Sequence, residues 1–162
     1  MNAPLRNTEQ FRRGRNGEQM VADRLMGAGW HIIPSYDYSG NDDHPPRMEG
    51  RTARFVIPDL DACKDGRRIW IEVKTKTAPI LHRASGTLKH GISLRHYEQY
   101  LQIEIETGCP VYLVIYEEQS NQLLYQKLSL LDEPQRYTGD KMSFGGMAFW
   151  PRDNFKTYEG VL

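Results

Sequence analysis

Asp59, Glu72 and Lys74 are the residues whose types and spacing suggest chemistry. All three fall in segments that otherwise read as apolar strands, Ile57-Pro58-Asp59-Leu60-Asp61-Ala62 and Ile69-Trp70-Ile71-Glu72-Val73-Lys74. Between the segments stands Asp65-Gly66. Such a pair between apolar alternations marks a two-residue hairpin turn, because both turn positions need positive φ. With that turn Lys64 faces Arg67, and the same register carries on until Asp59 faces Glu72. Cross-strand partners share one face of a sheet. Alternation places Asp61, Trp70, Lys74 and Lys76 on that face too. The opposite face, with Val56, Pro58, Leu60, Ala62, Ile69, Ile71 and Val73, is apolar and should pack against a core.

Two opposed carboxylates repel and weaken a sheet unless something compensates. A divalent cation is the natural choice, since hard cations such as Mg²⁺ prefer carboxylate oxygens. Lys74 adds a positive charge beside a bound water or phosphate. A carboxylate pair, a metal and a lysine together suit phosphodiester hydrolysis: the metal acidifies water, and the cations neutralise charge developing on the phosphorus oxygens. The alternative is a solvated strand face whose acids and lysines pair with each other. Glu18 is a third acid of interest. It precedes Val21, Ala22 and Leu25 at helical spacing, so it shares their inward stripe, where a carboxylate is costly unless paired or metal-bound. As a first-turn residue after a break at Asn16-Gly17, it would instead be exposed and favour the helix dipole.

Several elements must position these groups. A helix is expected from about 8 to 28, broken or restarted at Asn16-Gly17 and closed by Gly27 and Gly29. A strand over 30–36 and a long polar loop over 39–52 follow, then strands over 54–62 and 67–76 and an irregular stretch over 77–92. Ser93 should cap a helix over 94–107 whose stripe is Leu94, Tyr97, Leu101 and Ile105, ended by Gly108 and Pro110. Strands over 110–116, 122–130 and 142–149 complete an α/β domain with a mixed sheet flanked by helices.

The chain has 162 residues, 39% apolar and 26% charged, which suits a single soluble domain spanning 1–162. No apolar run is long enough to cross a bilayer, and the basic start MNAPLRNTEQFRRGR lacks the apolar stretch of a secretory signal. Two distant cysteines, Cys63 and Cys109, fit a reducing, cytoplasmic setting and read as buried small apolar groups. Net charge is zero, with local basic clusters at Arg6, Arg12, Arg13 and Arg15 and at Arg47, Arg51 and Arg54. Such clusters either bind phosphate or form a solvated surface. Lys76 shares the face of Lys74 and either touches a phosphodiester substrate or is solvated. His90 lies ahead of the second helix, as a surface group or a phosphate contact. No glycine-rich phosphate loop speaks for a small-molecule phosphohydrolase.

With Ile57-Pro58-Asp59, a hairpin and Ile71-Glu72-Val73-Lys74, the chain resembles the PD-(D/E)XK nuclease superfamily, which has the restriction-endonuclease-like fold. The helix with Gly14, Gly17 and Glu18 is similar to the one preceding this core in archaeal Holliday-junction resolvases and related phage and repair nucleases. The resemblance covers about 14–116, and strands within 122–150 would add to the sheet. It implies that Asp59 and Glu72 bind Mg²⁺ or Mn²⁺, that the Val73 carbonyl is a further ligand, that Lys74 positions or activates the water, and that Glu18 assists. It also implies DNA as partner, and a homodimer suits cutting of both strands. Many members carry a glutamine in the second helix with a tyrosine four residues on; here Gln99 leads to Ile103 and Gln102 to Glu106. A non-catalytic nucleic-acid-binding or assembly module that keeps this fold is the alternative. Lapsed chemistry gives no reason to keep opposing carboxylates.

Overall fold

The hairpin turn sits where the Asp-Gly pair dictates. Asp65 and Gly66 adopt φ of 50° and 75°. Pairing then runs from Lys64↔Arg67 through Cys63↔Arg68, Ala62↔Ile69 and Asp61↔Trp70 to Leu60↔Ile71, in the register expected. This computed structural model describes residues 9–35, 47–138 and 145–160. It orders the elements as α1 (Glu9–Gly27), β1 (His31–Pro34), β2 (Arg47–Glu49), β3 (Arg54–Val56), β4 (Leu60–Lys64), β5 (Arg67–Lys76), β6 (Ile80–His82), β7 (Thr87–Ser93), α2 (Leu94–Thr107), β8 (Val111–Glu117), β9 (Gln122–Lys127), β10 (Gln135–Tyr137), β11 (Met147–Pro151) and β12 (Lys156–Thr157). The part of the expected polar loop over 39–46, and 142–144 of the last expected strand, lie outside the described residues.

The central sheet has the order β1-β4-β5-β8-β9-β12. It is mixed, because β5 and β8 run parallel while their outer neighbours pair antiparallel. Helix α1 covers one face, where Val21 and Leu25 meet Ile69, Ile71, Val73 and Val114. Helix α2 and a second sheet, β10-β11-β7-β6, cover the other, where Tyr97, Tyr100 and Ile103 meet Leu113, Ile115 and Trp150. This is the α/β architecture with a mixed, helix-flanked sheet that the sequence implies. No helix among the described residues is long and apolar enough to cross a membrane.

Several expectations are corrected. The strand expected over 54–62 is two strands: β3 pairs with β2 in a sheet of its own, and β4 begins only at Leu60. Pro58 has no N–H for a ladder, so the chain leaves the strand conformation there. Helix α1 is continuous through Asn16-Gly17. Gly17 is not a break but a contact, since a Cβ there would lie 1.9 Å from Thr75 Oγ1 on β5. The stretch 77–92 is not irregular but forms β6 and β7, joined near Gly86 at φ +65°. On α2 the buried stripe is Leu94, Tyr97, Tyr100 and Ile103, and Ile105 is 73% exposed. The edge-on packing of Tyr97 against Trp150, centroids 5.2 Å apart, rotates the helix toward its tyrosines. Ser93 makes no side-chain cap, whereas Gly108 ends α2 left-handed, its N–H donating to Glu104 O at 3.0 Å. Of the later strands, β9 extends the central sheet and β11 joins the second one. Cys63 is exposed rather than buried.

Candidate active site

The break between β3 and β4 is what brings the acids together. Leaving the ladder at Pro58 frees Asp59 from a strand position and turns its carboxylate back onto β5. Asp59 Oδ2 accepts the Val73 N–H at 2.8 Å, so a side chain closes the edge where the ladder stops. Its own carbonyl accepts the Ser35 N–H at 2.8 Å, which ties the corner to the end of β1. Asp59 is therefore not the ladder partner of Glu72; it reaches the same place by bonding the residue after Glu72. The N–H and C=O of one strand residue point the same way, so the Val73 carbonyl also faces this corner.

Burial gives the corner its electrostatics. Asp59 is 8% exposed and Glu72 2%. Desolvation, then the charge of Glu72, push the Asp59 carboxyl well above the usual carboxylate range; Lys74 and the Val73 N–H offset this in part, and Glu18 adds to it. Lys74 is bonded to Glu72 Oε1. Burial alone would lower the Lys74 pKa, but the carboxylates of Glu72 and Asp59 outweigh it and raise it, so the ammonium stays charged. Glu72 Oε2 is buried and has no hydrogen-bond partner among the described residues. A buried carboxylate oxygen without a partner is expensive and calls for a cation or a donor.

Glu18 is half-buried, and its charge acts on both Asp59 and Lys74. The close fit of Gly17 on Thr75 brings this part of α1 onto the end of β5. Together the structure gathers Asp59, Glu72, Lys74, Glu18 and the Val73 backbone. Among the described residues no three His, Cys, Asp or Glu side chains form a ready metal cage. The donor set nonetheless fits a hard cation: two carboxylates, a backbone carbonyl facing them and one unsatisfied oxygen.

The other residues singled out in the sequence are spread more widely. Lys76 lies one step beyond Lys74 on the same face, is half-buried and makes no ion pair among the described residues. Burial, then the charges of Lys74 and Arg13, lower its pKa. Arg12 is exposed on a hollow of about 650 Å³ beside α1, shared with Arg13, Asn16, Thr75 and Glu118. Arg15 is half-buried and has interactions of its own. Gln99 Oε1 accepts the Val56 N–H at 2.8 Å, which pins the end of β3 just before the break that carries Asp59. His90 is corrected outright. It lies in β7, 2% exposed, with Nε2 donating to Glu117 Oε1 at 2.6 Å.

Sequence reasoning missed His96. It stands in the first turn of α2, half-buried, its ring tilted against Tyr100 with centroids 5.7 Å apart. Burial lowers its pKa, and it feels the charges of Glu72 and Lys74, so it overlooks the acidic corner. Its one legible signal is position, three residues before Gln99.

At the level of sequence, no family model matches the chain and no curated protein does. Solved structures do. An archaeal Holliday junction resolvase, Hjc of Archaeoglobus fulgidus, superposes with a TM-score of 0.56 at 16% identity, over 88% of this chain and 87% of that one. D212, a nuclease from a fusselovirus, gives 0.51 at 11% identity, over 97% and 90%. The chain has the restriction-endonuclease-like fold.

Proposed function

We propose that this chain is a metal-dependent deoxyribonuclease. The observation that carries the reading is the buried juxtaposition of Asp59 and Glu72, with Lys74 bonded to Glu72 and Glu72 Oε2 left without a partner. The names of the solved neighbours, a Holliday junction resolvase and a nuclease, support it. Asp59, Glu72 and the Val73 carbonyl would hold Mg²⁺ or Mn²⁺, with Glu18 assisting. A bound ion would supply an acidified water and neutralise charge on the phosphoryl oxygens. Asp59 fixes its carboxylate through the Val73 N–H, so the corner is held before substrate arrives. Lys74 stays charged beside Glu72 and would orient the attacking water and neutralise charge on the scissile phosphate. Lys76, Arg12 and Arg15 would meet neighbouring phosphates, and Gln99 keeps the Asp59 segment in place.

The test is cleavage of labelled single strand, blunt duplex, flap and four-way junction with Mg²⁺, Mn²⁺ or EDTA. Glu72→Gln and Lys74→Ala should each lower the rate at least about a hundredfold while keeping the wild-type circular dichroism spectrum. Wild-type rates in both variants would sink the assignment.

One observation favours a second reading: Lys74 sits on Glu72 where a cation would bind. A protein that keeps the fold as a non-catalytic nucleic-acid-binding module would bind DNA but give no heat with Mg²⁺ or Mn²⁺ in calorimetric titration.

A further inference from the structure

Next to the acidic corner on the same face of β5, the protein has a cavity of about 390 Å³ that the nuclease reading leaves unused. Its apolar lining is Met48, Ile57, Trp70 and Cys109, and Arg47 and Arg68 stand at it as cations. Trp70 lies two residues before Glu72 on β5, a displacement of about 7 Å along the strand, and Ile57 lies two residues before Asp59. Trp70 is 8% exposed, and its buried indole N–H has no partner among the described residues. Arg68 lies over the Trp70 ring at 5.3 Å from the centroid. Asp61 holds that guanidinium with two bonds of 2.9 and 2.6 Å, so its orientation is set in advance. Arg47 is exposed and makes no ion pair among the described residues.

An aromatic and aliphatic floor beside one guanidinium held in place, Arg68, and one exposed guanidinium, Arg47, recognises a flat ring carried on a phosphate. The size is at the lower end of ordinary ligand pockets. A base seated there would belong to the nucleotide adjoining the phosphate held at Glu72 and Lys74. A base inside a duplex reaches such a pocket only after unstacking, which costs a few kcal/mol that an unpaired base does not incur. We propose that this pocket takes an unpaired nucleobase flanking the scissile phosphate, and that the protein therefore selects DNA with single-stranded nucleotides at a branch or end. This specificity rests on the nuclease reading above.

Cys109 makes the pocket testable without catalysis. The protein has two cysteines, so Cys63→Ser, at an exposed position, leaves Cys109 as the sole thiol. Alkylation by iodoacetamide is followed in EDTA with a 5′-flap duplex, a single strand or a blunt duplex. Flap and single strand, at about ten times their Kd, should slow alkylation about tenfold, and blunt duplex should leave it unchanged. Arg47→Ala should weaken flap binding about tenfold and blunt-duplex binding little. Equal effects on flap and duplex, or bound flap that leaves Cys109 unprotected, overturn the pocket. Cleavage of the same substrates in Mg²⁺ separates the two readings. Cutting with Cys109 unprotected removes the pocket and keeps the nuclease. Protection without cutting in Mg²⁺ or Mn²⁺ removes the nuclease and keeps a base-binding pocket. No binding of any DNA removes both.

Discussion

Asp59 and Glu72 oppose folding to the extent that both are charged, which gives the pair a stability signature separate from activity. The Asp59 carboxyl is raised by burial and by Glu72 above its ordinary 3.8. The folded state then holds a proton that the unfolded state has released. Its contribution is fully present below pH 3.8 and is lost as pH climbs through the folded value. At pH 7 in EDTA, Asp59→Asn should therefore be more stable than wild type by about 1 kcal/mol, roughly 2–4 °C in Tm, because the amide oxygen still accepts the Val73 N–H without the charge. Mg²⁺ should raise the Tm of wild type and leave the variant unmoved. Melting curves with and without metal check both; a lower Tm for Asp59→Asn in EDTA would show that the carboxylates are not in conflict. At this scale the acids and Lys74 were legible because charged residues interrupt apolar strands. His96 was not, because its place three residues before Gln99 points to nothing until the fold turns that face of α2 toward the acids.

Helix α1 and strand β5 meet through a missing side chain. A Cβ on Gly17 would lie 1.9 Å from Thr75 Oγ1, so Gly17→Ala must lift α1 off β5. Overpacking of this kind costs about 1–3 kcal/mol. It should also move Glu18, the next residue, and weaken Mn²⁺ binding by more than the lost stability explains. Thr75→Ala removes the clashing oxygen, itself buried without a partner among the described residues, and should restore both properties in the double variant. Denaturant titration beside Mn²⁺ calorimetry measures this; failure of the rescue would place the effect of Gly17 elsewhere. The sequence offered Gly17 as a helix break, since a glycine looks the same whether it ends a helix or admits a neighbour. The hairpin was legible down to its register, because Asp65-Gly66 fixes the turn and alternation does the rest. The end of the hairpin was not. Asp59 was expected in the ladder opposite Glu72, and Pro58 takes it out. Likewise β7 was hidden, because Thr87–Ser93 lacks a continuous apolar alternation and pairs within a second sheet that only assembly creates.

The two sheets are joined by a buried ionic knot, and this sets how the whole molecule should respond to acid. Glu117, at the end of β8, accepts from His90 of β7 at 2.6 Å, from Arg152 after β11 at 2.8 and 2.9 Å, and from Ser120 at 2.9 Å. Burial alone would raise the Glu117 carboxyl, but bonds from Arg152, His90 and Ser120 outweigh it and hold it at about 2, against an ordinary 4.5. A depressed carboxyl stabilises the fold above its unfolded value, and that contribution is lost as pH falls from 4.5 toward about 2. His90 acts in the same sense: its burial lowers its pKa, so the contribution of the neutral ring is present above 6.5 and is lost as acid charges it. Both effects loosen the second sheet from the central one, His90 from below pH 6.5 and Glu117 from below 4.5, while the core under α1, which uses neither residue, stays packed. Glu117→Ala leaves His90 without its acceptor and Arg152 with Gln122 alone, and should cost about 3 kcal/mol at pH 7. Hydrogen exchange should then show β7 and β11 opening before β4, β5 and β8, and the same order should appear in wild type at pH 3. Uniform exchange across both sheets in the variant would mean that the apolar contacts of Trp150 and Ile92, rather than the Glu117 knot, hold the second sheet in place.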